Sequence, residues 1–178
     1  QGADLSDHSP DQGLLKKWPQ DGPEQVWLYK DAGIGYSGPA ISGGKFITMG
    51  ERDGETYLIA INTKDGKELW STKFAKGFKN NWGNGPRGTP TIDGDKVYAL
   101  APKGEVVCIN IKDGSVNWKS DLVDFGGKAP YWGFSESVLV DNDKVVLTPG
   151  GGKGAIVALN KETGKLIWQS KEIKDGAQ

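Results

Sequence analysis

The chain is poor in the residues that build small reactive centres. Its 178 residues include one cysteine, one histidine and one methionine. One cysteine excludes an internal disulfide, and a single His with a single Cys excludes a His/Cys zinc site within the chain. No Cys-x-x-Cys-His haem attachment and no adjacent pair of cysteines is present. No apolar run is long enough to cross a bilayer, and the mean hydropathy is −0.52. There is also no excess of either charge. Twenty-two Lys and Arg stand against 23 Asp and Glu, giving a net charge of −1 with the signs interleaved. A basic face for nucleic acid is therefore excluded.

What the chain has is glycine and tryptophan, 27 and 7 residues, and a repeat that uses both. Ala60 to Trp70 reads AINTKDGKELW, Cys108 to Trp118 reads CINIKDGSVNW, and Ala158 to Trp168 reads ALNKETGKLIW. Each copy places a small residue (Ala60, Cys108, Ala158) ten positions before a Trp. An Asn follows the small residue by two (Asn62, Asn110, Asn160), and a Gly precedes the Trp by four (Gly66, Gly114, Gly164). The tryptophans are 48 and then 50 residues apart (118 − 70 and 168 − 118). A period of this length with alternating, strand-like patterning inside each copy predicts a radial array of sheets.

Each copy reads as two strands around a tight turn, because Asp-Gly between alternating runs supplies the positive φ a hairpin needs. Two further short strands precede each pair: GPAIS and KFITMG, GTPTID and KVYALAP, SESVLV and KVVLTPG. The predicted fold is all-β: a β-propeller of four-stranded antiparallel blades. The expected divisions are a loose arm over 1–17, with a helical turn at DQGLLKK, and an outer strand of a closing blade over 18–30. Blades follow at 31–74, 75–122 and 123–172, with a tail at 173–178. His8 falls in the arm and reads as solvated. Trp27 follows Asp21-Gly22 much as Trp118 follows Asp113-Gly114, so it is expected to dock as a fourth member of the Trp set. Cys108, in a small-residue register, is expected to be a buried structural thiol.

The 11-residue pattern resembles the tryptophan-docking repeat of the pyrroloquinoline-quinone (PQQ) type β-propellers, whose usual form is Ala-x-Asp-x-x-x-Gly-x-x-x-Trp. Asn stands for Asp in all three copies and Cys108 for Ala in one. That family includes quinone-dependent alcohol and sugar dehydrogenases and non-enzymatic scaffolds of outer-membrane barrel assembly. The resemblance implies a periplasmic or secreted location. A start at Gln1 rather than Met is what a removed signal peptide leaves, and a trimmed chain begins likewise. Three blades cannot close a ring. The expectation is therefore either further blades, in a longer polypeptide or on another chain, or assembly of several copies.

Candidate binding residues lie on the connections from one blade to the next, the usual place for function on a rigid sheet scaffold. They are Tyr36, Trp82, Asn84, Arg87, Tyr131, Trp132 and Glu136. Arg87 can grip a carboxylate or ortho-quinone, and Trp82 or Trp132 can stack on a planar ligand. Simple packing over a neighbouring blade, or an Arg87–Glu136 ion pair, accounts for the same residues without a ligand. In the family's enzymes the resemblance implies a quinone held between a Trp and an adjacent-cysteine disulfide, with Ca²⁺ bound by Glu, Asn and Asp. Glu136, Asn84 and Asp124 are the right types, but the cysteine pair is missing. The preferred expectation is a scaffold whose rim loops bind another protein or an extracytoplasmic ligand without catalysis. The expected partner is a protein or the remaining blades, with no cofactor and no metal assigned. The alternative is part of a Ca²⁺-assisted PQQ-dependent alcohol or sugar dehydrogenase. Glycan binding to the Trp-rich loops is a third reading.

Overall fold

The structure is a computed structural model and describes residues 12–177. Twelve strands form three separate four-stranded sheets, each a simple antiparallel meander. The first holds β1 (Ala40–Ser42), β2 (Lys45–Arg52), β3 (Glu55–Asn62) and β4 (Glu68–Lys76). The second holds β5 (Thr91–Asp93), β6 (Lys96–Leu100), β7 (Glu105–Asn110) and β8 (Val116–Asp121). The third holds β9 (Leu139–Asp141), β10 (Lys144–Leu147), β11 (Val157–Asn160) and β12 (Leu166–Gln169). These are the blades of a partial β-propeller.

The repeat's turn explains why Asn is acceptable where the family pattern has Asp. The side-chain oxygens of Asn62, Asn110 and Asn160 accept the amides of Lys64, Lys112 and Glu162, two residues on, at 2.9, 2.9 and 3.0 Å. Either an amide or a carboxylate oxygen makes this local bond. The backbone carbonyls of the same three Asn accept the amides of Gly66, Gly114 and Gly164. Those glycines sit at φ of 69, 76 and 69°, a left-handed conformation that costs glycine little. The small residue and the Trp of each copy then face one another across the ladder, as Ala60 with Trp70, Cys108 with Trp118 and Ala158 with Trp168. A register shift follows immediately after the small residue each time.

Two apolar layers hold the sheets together. Ile47, Met49, Leu58 and Phe74 of the first sheet pack on Val97, Ala99, Val107 and Ile109 of the second. The opposite face of the second sheet presents Tyr98, Leu100, Val106 and Cys108 to Val145, Leu147, Val157 and Leu159 of the third. The period-two alternation of β6 and β7 thus buries both faces of the middle sheet, as a stacked blade requires. Burying one such side chain stabilises the fold by about 1.5–3 kcal/mol. The short first strands lie side by side and are cross-linked by hydroxyls: Ser37 donates to the Gly88 carbonyl at 2.8 Å, and Thr91 donates to the Val138 carbonyl.

One local expectation is corrected. Residues 12–17 form no helix, and Leu14 and Leu15 are exposed there. Residues 18–30 form no paired strand among the described residues. No described strand is paired with this segment. It is held instead by side chains: Trp27 edge-on to Phe46 at 5.9 Å, and Tyr29 hydrogen-bonded to Glu68 and to Arg52. The connection after β8 begins with a 3₁₀ turn over Leu122–Phe125. The turn is started by Asp121 accepting the Val123 amide and ended by Gly126 at φ 85°. His8 lies outside the described residues.

Candidate functional site

Trp70 and Trp118 of the repeat lie between sheets. The Trp27, Trp70 and Trp118 indoles donate to the carbonyls of Thr63, Ile111 and Lys161 in the next repeat turn, at 2.8, 3.1 and 2.8 Å. Each ring also lies against that turn's glycine. A Cβ added to Gly66, Gly114 or Gly164 would come within 2.9, 2.8 or 2.6 Å of the ring. Trp168 has no such neighbour among the described residues and is 42% exposed, against 8% for Trp118. It ends a row of Leu139, Val146, Ala158 and Trp168 across the outer face of the third sheet.

The rim is built on two long connections. The first leaves β4 at Gly77 and is braced from below by Glu51, a carboxylate only 5% exposed that accepts the Phe78 amide at 2.8 Å. A Cβ at Gly77 would meet that carboxylate at 2.6 Å, so a larger residue there would push Glu51 off the Phe78 amide. Asn80 then organises the loop. Its side-chain oxygen accepts the Trp82 amide at 2.8 Å, and its own amide N–H donates to Asn84 Oδ1 at 3.2 Å. Its NH₂ group reaches across to the second connection and donates to the Tyr131 carbonyl at 2.9 Å.

That bond unites three of the candidate residues. Trp82 stacks on Trp132 with ring centroids 6.0 Å apart and planes 3° from parallel, and Tyr131 meets Trp82 edge-on at 5.4 Å. The second connection is held beneath them by Phe134, which is buried and whose amide donates to the Pro102 carbonyl at 2.8 Å. Trp82 and Tyr131 nevertheless remain 68% and 58% exposed. An apolar cluster spanning two blades, rigidly braced yet open, is a surface suited to contact with another molecule.

Arg87 is taken up by its own loop. Its two terminal nitrogens donate to the carbonyls of Gly85 and Gly83 at 2.5 and 2.7 Å, and the guanidinium lies over Phe78 at 4.7 Å and Tyr36 at 5.8 Å. It ties its own loop and makes no ion pair with Glu136. Tyr36 rests over Gly83, where a Cβ would strike the phenol, and stays exposed beside this tie. Asn84 braces the loop rather than facing outward. Glu136 bonds within its own blade, accepting the Thr148 amide at 2.9 Å and the Thr148 hydroxyl. Its removal from water raises its pKa above the ordinary carboxylate value, against the lowering effect of those bonds. Glu51 and Asn80 escape a sequence reading. Their importance comes from partners 27 and 51 residues away, and nothing local marks them.

The residues present do not fit a quinone and calcium centre. Cys108 is a lone buried thiol whose pKa is pushed up to about 11 by burial. Glu136 and Asn84 already serve Thr148 and Asn80, and Asp124 is exposed in the 3₁₀ turn. Among the described residues no three His, Cys, Asp or Glu side chains converge. Among them also, no helix is long and apolar enough to cross a membrane.

Comparison with known proteins agrees with the geometry of the sheets. The chain is similar to outer membrane protein assembly factor BamB of Yersinia pestis, 24% identical over 174 residues, covering 89% of this chain and 39% of that protein. It is also 27% identical over 119 residues to quinohemoprotein alcohol dehydrogenase ADH IIB of Pseudomonas putida, covering 63% of this chain and 17% of the enzyme. Among solved structures, BamB from Moraxella catarrhalis superposes with a TM-score of 0.58 at 25% identity, covering 82% of this chain and 39% of that one. The chain thus spans about two fifths of the length of these BamB relatives. The family model described as outer membrane protein assembly factor BamB matches residues 6–176, and the chain belongs to that family of PQQ-like repeat propellers.

Proposed function

We propose that this chain is part of an extracytoplasmic propeller scaffold that holds a protein partner against its rim loops and catalyses no reaction. The observation that carries the reading is the exposed Trp82–Trp132–Tyr131 cluster, built from two blades and braced by Glu51 and Asn80. Large rigid aromatics contribute contact area at low entropic cost, and such residues dominate protein interfaces. The relatives named for outer-membrane protein assembly lend the scaffold reading its biological context, a machine at the outer membrane.

A photo-crosslinking amino acid placed at Trp82 tests it in cells, with the same probe at Lys112, on the opposite end of the sheets, as control. The expected result is one dominant protein adduct at Trp82, absent from Lys112. Equal labelling at both positions, or none, overturns the rim as the contact surface. Saturable, stoichiometric alcohol turnover on addition of PQQ and Ca²⁺ overturns the non-catalytic reading.

A further inference from the structure

The repeat supplies its own control for charge. Lys45, Lys96 and Lys144 open the second strand of their blades and pair in register with Asn62, Asn110 and Asn160. Lys96 bonds the carboxylate just before it, Asp95, at 3.1 Å, and Glu162 of the next blade at 3.1 Å. Beside it Lys161 bonds Asp93 at 2.7 Å. Lys144 likewise bonds the preceding Asp143. The junction between the second and third blades is therefore neutralised: Lys96 and Lys161 against Asp93, Asp95 and Glu162.

At the junction between the first and second blades every one of those carboxylates is replaced. Gly44 stands for Asp95, Ser42 for Asp93, and Lys112 for Glu162. Lys45, Lys64 and Lys112 line one cleft of about 420 Å³ with Asn62 and the Gly43–Gly44 turn. No salt bridge neutralises these three lysines among the described residues. The nearby Asp65 and Asp113 are turned into their own loops, onto Lys67 and Ser115. Asn62 spends its oxygen on the Lys64 amide and keeps its NH₂ to donate. Three lysines line this cleft with no carboxylate in its lining, and an anion held there would gain from all three charges.

We infer that this cleft binds a phosphoryl group. A tetrahedral dianion offers several acceptors to donors arriving from different blades, and lysines act on phosphate as point charges without needing the planar fork of arginine. The Gly43–Gly44 turn adds no side chain to the cleft, and Leu69 is its one apolar lining residue. Because both of its turns lie at the end of the sheets opposite the rim, the site is independent of the partner surface proposed above.

The test is an amide NMR titration of the protein with inorganic phosphate against chloride at matched ionic strength. Saturable shifts are expected at Gly43, Gly44, Asn62, Lys64 and Lys112. Lys112→Glu restores the carboxylate of the neutral junction and should weaken binding by about tenfold or more, roughly 1.4 kcal/mol. Lys45→Gln should weaken it similarly, while Lys96→Gln at the neutral junction should leave it unchanged. A second arm measures retention on phosphatidylglycerol vesicles against phosphatidylcholine. Retention lost in Lys112→Glu identifies a lipid headgroup as the source of the phosphoryl group. Phosphate binding without retention identifies a soluble phosphate ester. Absence of saturable shifts together with absence of retention overturns the inference, as do shifts of equal size in Lys112→Glu.

Discussion

Two glycines with the same backbone angle separate the role of the docked indole from that of the turn. Gly54 and Gly114 both lie at φ +76°. A Cβ at Gly54 meets nothing within 4 Å, whereas at Gly114 it lies 2.8 Å from the Trp70 ring and from the Thr72 hydroxyl oxygen. Gly54→Ala should therefore show the left-handed strain alone, about 1–2 kcal/mol. Gly114→Ala carries the same strain and also evicts the indole. That adds an overpacking cost of about 1–3 kcal/mol and the bond from Trp70 to the Ile111 carbonyl, about 1 kcal/mol. The expected difference is about 3 kcal/mol, or roughly 6–12 °C in melting temperature for a chain of this size. Urea unfolding read by far-ultraviolet dichroism gives both values, and a red shift of Trp emission should accompany Gly114→Ala only. Trp70→Ala in the Gly114→Ala background should cost less than in the parent, since the clash has already been relieved. Equal losses at Gly54 and Gly114, within about 1 kcal/mol, would sink the claim that the ring needs that gap.

Three further outcomes follow from buried groups. Glu51→Ala leaves the buried Phe78 amide without an acceptor and should cost about 1–3 kcal/mol, with hydrogen exchange quickening at Phe78 and along residues 77–90 before the blade strands respond. Glu136 has a raised pKa in the folded state, so its charging opposes folding. Parent and Glu136→Gln should be alike in acid, and the parent should fall behind as pH rises from the ordinary glutamate pKa, about 4.3, through the raised one. A gap that instead widens in acid would reverse the assignment. The Cys108 thiol, buried and pushed up to about 11, should resist a thiol reagent at neutral pH until the protein unfolds. Fast native-state labelling would show that the second blade opens readily.

The blades were legible because the repeat residues answer to local geometry. Gly114 is demanded by a positive φ, Asn110 by a turn two residues long, and Cys108 by the ring directly across the ladder. The rim was legible only as a place. That Trp82, Tyr131 and Trp132 lie at one end of the sheets could be placed from loop order. That Asn80 joins the loops could not, because its partner lies 51 residues on in another blade. Arg87 shows the limit most clearly. In sequence it is an unclaimed guanidinium beside aromatics, the usual look of a ligand clamp. In space the turns at Gly83 and Gly85 direct two carbonyls onto it, and its face is covered by Phe78. A cation tied to two carbonyls of its own loop stiffens the segment that presents Trp82, so on the proposed rim contact the role of Arg87 is to hold the aromatic surface in place. Arg87→Lys, which keeps the charge and loses the fork, should then weaken partner binding through loop disorder. Charge reversal on the partner should leave the effect of that substitution unchanged. Dependence on the partner's charge would mean that Arg87 touches it directly.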